Sequence, residues 1–344
     1  MTKCFIYLLV LLGTLATLTS ATEKEYGLPN LSDYGFFEGN IADLKPKADV
    51  IPYDLNSPLF SDYAHKARFI KFPAGAEIQY NTDKVLDLPV GTTIIKNFYY
   101  YKDERKPEKG RRIIETRLLV HEEAGWKNIP YVWNDDQSDA YLDVAGETKM
   151  VTWKNADGKK QSVEYTTPNV NQCKGCHLRG NDIVPIGPSA RQINKSYKYA
   201  DGTKNQLTKW QELGVLAKTI DINKAPKMAQ WEDESAPVKD RARGYLDANC
   251  GHCHNPDGPA NTSGLFLNIH EKDMAKWGVL KAPIAAGRGS GGRLYNIQPG
   301  HPEESILVYR MASTDPGVRM PEVGRQMAHT EGVELVKAWI KGME

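Results

Sequence analysis

Cysteine is scarce in this chain. Five occur in 344 residues: Cys4, Cys173, Cys176, Cys250 and Cys253. The last four form two C-x-x-C pairs, so nothing is left over for a disulfide framework of the kind that holds small secreted domains together. An excess of either charge is also missing. Lys and Arg total 44 against 43 for Asp and Glu, and a nucleic-acid binder would show a basic bias. Past the first two dozen residues no apolar run nears the roughly 20 residues that a membrane span requires. No short tandem repeat is present, which excludes a solenoid.

What is present gains weight from those absences. Cys173-Lys174-Gly175-Cys176-His177 and Cys250-Gly251-His252-Cys253-His254 both read C-x-x-C-H. That is the attachment signal for a c-type haem. Two thiols three positions apart can bond the two vinyl groups of one porphyrin. The adjoining His then reaches the iron as its proximal ligand. Two alternatives stand beside this reading. The four thiols could form two disulfides, or hold zinc as two C-x-x-C pairs, although zinc ribbons do not call for a His after each second Cys. The repeated His favours two covalent haems c, held by Cys173, Cys176, Cys250 and Cys253 with His177 and His254 on the irons.

The N-terminus fits an exported chain. Lys3, the apolar run Phe5 to Leu18 and the small residues Thr19-Ser20-Ala21 read as a secretory signal over residues 1–21, cut after Ala21. Cys4 leaves with it. A soluble periplasmic or otherwise exported protein is expected, with no transmembrane segment once the signal is gone.

Residues 22–50 read as an extended lead-in. Residues 51–167 carry short β-branched and aromatic runs punctuated by Gly and Pro, such as Thr93 to Tyr101 and Trp126 to Trp133, and Asp157-Gly158 marks a hairpin. They predict an all-β sandwich or barrel. The charged run Lys102 to Arg112 reads as a solvated hairpin loop, with a docking patch for an acidic partner as the alternative. Residues 168–236 form the first haem module, with helical spacing at Leu207, Trp210, Leu213 and Leu216. Residues 237–344 form the second, with helices at Val238 to Asn249, Glu304 to Met311 and Thr330 to Met343. The expected fold is therefore multi-domain: N-terminal all-β, then mainly α haem modules of the cytochrome c type.

The sixth iron position decides between electron transfer and chemistry on a bound ligand. Met320, before Pro321 in a punctuated loop, is the candidate distal ligand of the second haem, with Met311 and Met327 behind it; a core-filling role is the alternative. Met228 is the candidate for the first haem, with Met150, His65, His121 and His270 also open. Gly287 to Arg293 reads either as a loop around haem propionates or as plain surface; it lacks the Lys-Ser/Thr of a P-loop.

Several stretches together carry a family resemblance: Pro52-Tyr53-Asp54-Leu55, Pro58 to Asp62, Asn171 to His177, Arg241 to His254, Pro299 to Ser305 and Arg319-Met320-Pro321-Glu322. Through them the chain resembles bacterial exported dihaem c-type cytochromes with an N-terminal non-haem region, and its C-terminal part resembles a cytochrome c domain. The resemblance covers nearly all of the chain after residue 21. It implies two haems and electron transfer to a redox partner protein or enzyme. The first module departs from the pattern, because no clear helix precedes Cys173. An alternative is a dihaem oxidoreductase, peroxidase-like or substrate-oxidising, working at an open first haem. A weaker one is a sensor or scaffold using the β-region.

Overall fold

The computed structural model describes residues 26–344; the expected signal segment 1–21 and Cys4 lie outside the described residues. One antiparallel sheet dominates. Its strands are β1 (Val50–Tyr53), β2 (His65–Lys71), β3 (Thr93–Tyr101), β4 (Arg111–Glu122), β5 (Gly125–Trp133) and β6 (Ala140–Leu142), paired in sequence order. This is an open meander. The hairpin β7 (Glu147–Lys154) and β8 (Lys160–Thr167) forms a separate two-stranded sheet, turning at Asp157-Gly158 with Gly158 at φ 77°, a conformation that glycine adopts without a Cβ penalty.

Alternation along the strands gives the sheet two apolar faces. One face carries Phe69, Ile95, Leu118, Ile129 and Tyr131 and is covered by Leu31, Phe36, Phe37 and Leu44. The segment before β1 is thus a folded cover. The other face carries Ile51, Tyr53, Ile70, Ile94 and Leu119 and packs against Ile193, Leu207 and Trp210. At one end of the sheet, Phe98, Tyr100 and Ile114 meet Val151, Trp153, Val163 and Tyr165 of the β7–β8 hairpin. The run from Lys102 to Gly110 is the β3–β4 connection, with a single 3-10 turn at Pro107–Lys109, and Arg111 and Arg112 open β4.

The expectation of mainly α cytochrome c-type modules after residue 168 is corrected by the structure. Among the described residues strand outweighs helix, 27% to 25%. Seven α-helices occur among the described residues: α1 (Val170–His177), α2 (Ala190–Ile193), α3 (Gln206–Glu212), α4 (Val238–Leu246), α5 (Met274–Trp277), α6 (Ile306–Ala312) and α7 (Thr330–Lys341). Between them lie two small hairpins, β9 (Leu178–Arg179) with β10 (Asp182–Ile183) and β11 (Ser196–Tyr199) with β12 (Gly202–Asn205), and long irregular stretches. Glycine and proline are the physical reason. The 207–220 periodicity stops at Glu212 because Gly214 turns at φ 76°; Leu213 is left 44% exposed while Leu216 folds back to donate its N–H to the Trp210 carbonyl. From Pro256 to Pro302 Gly and Pro recur, and the one long stretch free of both, Leu265–Trp277, holds only the short α5, ended by Gly278 at φ 102°.

The β1–β2 loop fastens the sheet to the C-terminal half. The Phe60 N–H donates to Asn249 Oδ1 at 2.7 Å, and the Tyr63 hydroxyl donates to Glu331 at 2.8 Å. Asp62 Oδ1 accepts the N–H groups of Gln326 and Met327, both at 2.7 Å.

Candidate haem-attachment site

The first motif forms a helix of its own. Asn169 caps α1, accepting the Gln172 N–H at 2.8 Å, while the Gln172 side chain accepts the Asn169 N–H at 2.9 Å. This capping box satisfies two amides that would otherwise be orphaned. One turn of α1 then carries Cys173 and Cys176 on neighbouring positions. The β9–β10 hairpin returns the chain so that His177 Nδ1 lies 2.8 Å from the Val184 carbonyl. A ring nitrogen facing a carbonyl must carry the proton, which leaves Nε2 with its lone pair.

The second motif is delivered by α4, which widens into a π-helical turn over Asp247–Gly251. Asp247 and Asn249 pin that turn, accepting from the amides of Ile269 and Phe60 at 2.8 and 2.7 Å. The Ser263 hydroxyl donates to the Ala260 carbonyl at 2.6 Å, so its oxygen is available to His254 Nδ1, 3.3 Å away. His254 therefore shares the arrangement of His177. Burial lowers both imidazoles to about 4, which keeps them neutral near pH 7.

The two motifs touch. The Arg179 guanidinium donates to the His252 carbonyl, and Cys253 Sγ lies 3.5 Å from the Gly175 carbonyl. One ligand atom each from Cys176, His252 and Cys253 fall within 4.8 Å of one another. The Cys253 thiol beside it, and then His252, lower Cys176 to about 4; the same thiol contact and burial push Cys253 up. Burial, helped by the nearby Asp247 carboxyl, raises Cys250 to about 12. All four cysteines are free. This donor set suits two chemistries. Four reduced thiols and two imidazoles with free Nε2 match what covalent haem requires of a chain. Separately, Cys176, His252 and Cys253 could hold a soft ion such as zinc.

A cavity of about 1110 Å³ opens beside the motifs, lined by Cys173, Cys176, His177 and Cys250. It exceeds the roughly 300–1,000 Å³ of ordinary small-ligand pockets. Cys253 and His254 lie outside its lining. Met320 and Met311 do line it. Met320 is held at both ends of its peptide unit: its N–H donates to the Arg310 carbonyl at 3.0 Å, and its carbonyl accepts from Arg325 at 2.7 Å. Met228 is elsewhere. It is 3% exposed and packs against Gly244 of α4, away from the lining. Met327 packs beside the β7–β8 core and Met150 is exposed. His65 pairs with Glu104, and His121 stacks on Trp126. His270 lines the cavity next to Arg191. The Gly287–Arg293 loop does not reach the cavity; Arg288 pairs with Asp315, and Arg293 lies over Tyr309.

The sequence reading missed two groups. His329 lines the cavity, stacked on Phe60 with ring centroids 4.3 Å apart and its Nδ1 3.0 Å from the Tyr245 hydroxyl. Burial lowers it to about 4. A lone His at a helix start has no spacing signal. Arg68, Lys96 and Arg117 also line the cavity, and burial lowers Lys96 to about 7. Their signal was available, since they share strand parity with the core residues Ile70, Ile94 and Leu119.

Comparison of the chain with protein families, with curated proteins and with solved structures returns no match. No helix among the described residues is long and apolar enough to cross a membrane.

Proposed function

We propose that this chain is an exported dihaem c-type cytochrome, passing electrons between its two haems and a redox partner protein. The carrying observation is that the two C-x-x-C-H motifs touch, with Cys173, Cys176, His177 and Cys250 lining one cavity and all four thiols unpaired. The tethered Nδ1 atoms of His177 and His254 support the same reading. Haem supplies one-electron redox chemistry. The chain supplies two thiols and an imidazole per haem, and Met320 as a thioether ligand that raises the potential relative to His. The expected signal sequence and the family resemblance support an activity outside the cytoplasm.

The test is expression of the full precursor alongside a cytochrome c maturation system. Intact mass should show signal removal after Ala21 and the addition of two haems, with an alkaline pyridine spectrum of the thioether-bound type. A haem-free product containing one equivalent of zinc would reject the proposal in favour of the Cys176–His252–Cys253 centre.

A second reading is favoured by the placement of Met228. Met228 packs its thioether on α4 and does not line the cavity, so it would not serve a haem held at the first motif, and an oxidoreductase working at a position left open there is the competing function. A high-spin ferric signal that shifts on adding cyanide would select it. Two low-spin haems unresponsive to cyanide and peroxide would select pure electron transfer.

A further inference from the structure

The sheet wall of the cavity carries a row of cations that the functional reading does not use. Arg68 on β2 is directly opposite Lys96 on β3, and Lys96 is directly opposite Arg117 on β4. All three line the cavity. Like charges directly opposite each other on one sheet face are destabilising unless something neutralises them.

The protein's own acids do not complete that neutralisation. Asp54 is shared between Arg68, at 3.0 Å, and Lys195, at 2.9 Å. Glu115 is taken up by Arg117 through two bonds of 2.8 and 2.5 Å and by the Tyr165 hydroxyl at 2.5 Å. Two carboxylates thus serve three cations, Arg68, Lys195 and Arg117. Lys96 pairs with no carboxylate among the described residues; its ammonium rests 4.8 Å from the centroid of the Phe98 ring. Arg68 is 5% exposed, and its Nη2 is sealed from solvent without a hydrogen-bond partner. A buried, unpaired guanidinium nitrogen is costly unless something accepts from it.

We propose that Arg68, Lys96 and Arg117 form a subsite that binds a carboxylate or small oxyanion on the sheet wall of the cavity. The free edge of Arg68 and the Lys96 ammonium are the primary donors, and Arg117, held by Glu115, adds its field. Guanidinium favours flat anions with two acceptor oxygens. That chemistry has two sources: the carboxylates of a haem in the same cavity, or a diffusible anion. Because the row is built by strand register, it does not depend on haem attachment.

The test is isothermal titration of the purified full-length protein with acetate and, separately, with sulfate. Saturable binding is expected. Lys96→Gln and Arg68→Gln should weaken it on the order of tenfold or more, while Lys96→Arg retains it; thermal melting checks that each variant is folded. If the wild type binds neither probe, the subsite is already filled by a haem carboxylate. Lys96→Gln must then change the pH dependence of a haem reduction potential, and Lys96→Arg must restore it. Binding that survives Lys96→Gln unchanged overturns the proposal. So does a wild type that binds neither probe and whose potentials ignore the substitution. Haem content, measured on the same samples, separates failure of this subsite from failure of the cytochrome reading.

Discussion

Arg117→Met should be among the most damaging single substitutions in the sheet. Glu115 is fully buried, at 0% exposure, and its two oxygens are held by Arg117 and the Tyr165 hydroxyl. Removing the guanidinium leaves an ionised carboxylate in the interior with one neutral donor. Breaking a buried pair in this way costs about 3–5 kcal/mol. That is a large share of the roughly 5–15 kcal/mol that stabilises a typical domain. Arg117 is 29% exposed along its side chain, so the lower half of the range, about 3 kcal/mol, is the expected value. The assay is urea unfolding at pH 8, followed by tryptophan fluorescence. Adding Glu115→Gln should recover most of the loss, because the uncompensated charge is gone. A single variant within about 1 kcal/mol of wild type at pH 8, or a double variant no better than the single, would refute the reasoning.

Other expectations follow from the same packing. Met320→Ala should alter the spectrum or lower the potential of one haem. Met228→Ala should leave both spectra unchanged but cost about 2–5 kcal/mol through the cavity left beside Gly244; a spectral change in Met228→Ala would return that residue to the site. Gly332→Ala should lower the melting temperature despite a helix-propensity gain of about 1 kcal/mol, because a Cβ there would lie 2.6 Å from Tyr245 Cε2 and nearer still to Cζ and the hydroxyl oxygen. A melting temperature at or above wild type would show that the ring can move aside freely. His329 is lowered by burial to about 4 from 6.5, so the unfolded chain takes up its proton first as pH falls. Its contribution is present above about 6.5 and lost between there and about 4. His329→Gln should therefore show a shallower loss of stability over that interval; an unchanged acid limb would show that His329 is not the group responsible.

The strands were legible because their signal is local. Thr93 to Tyr101 and Trp126 to Trp133 alternate, are β-branched or aromatic, and end at turn residues, and they are strands. The two C-x-x-C-H motifs stand out in the sequence because their spacing is local. Helical extent was not. Leu207, Trp210, Leu213 and Leu216 have helical spacing, yet Gly214 reverses the chain among them. The contact between the motifs was not legible either: 77 residues separate Cys173 from Cys250, and only the β9–β10 hairpin sets Arg179 against the His252 carbonyl. Met228 misled because its sulfur fills a gap over Gly244, an ordinary use of a flexible thioether.

The arrangement around Asp62 explains how a sheet-dominated chain can fix a methionine for the second motif. Asp62 and Tyr63 hold φ of 49° and 61°, a region that residues with a Cβ seldom occupy. Burial raises the Asp62 carboxyl despite the two amides it accepts. Both features are unfavourable alone, so the contacts they permit must offset them. Those contacts hold the backbone of Gln326 and Met327. The preceding residue, Arg325, spans the carbonyls of Arg310, Met320 and Met327. The Met320 peptide is thereby tied through Arg325 to the segment that Asp62 grips, and Asp62 is anchored by the Tyr100 hydroxyl, which donates to its carbonyl at 2.7 Å from within β3. The β1–β2 loop therefore acts as a strut from the sheet to the Met320 loop. A sheet placed ahead of the haem motifs has a mechanical role on this account, setting where the thioether of Met320 stands relative to Cys250 whether or not its cationic face takes a ligand.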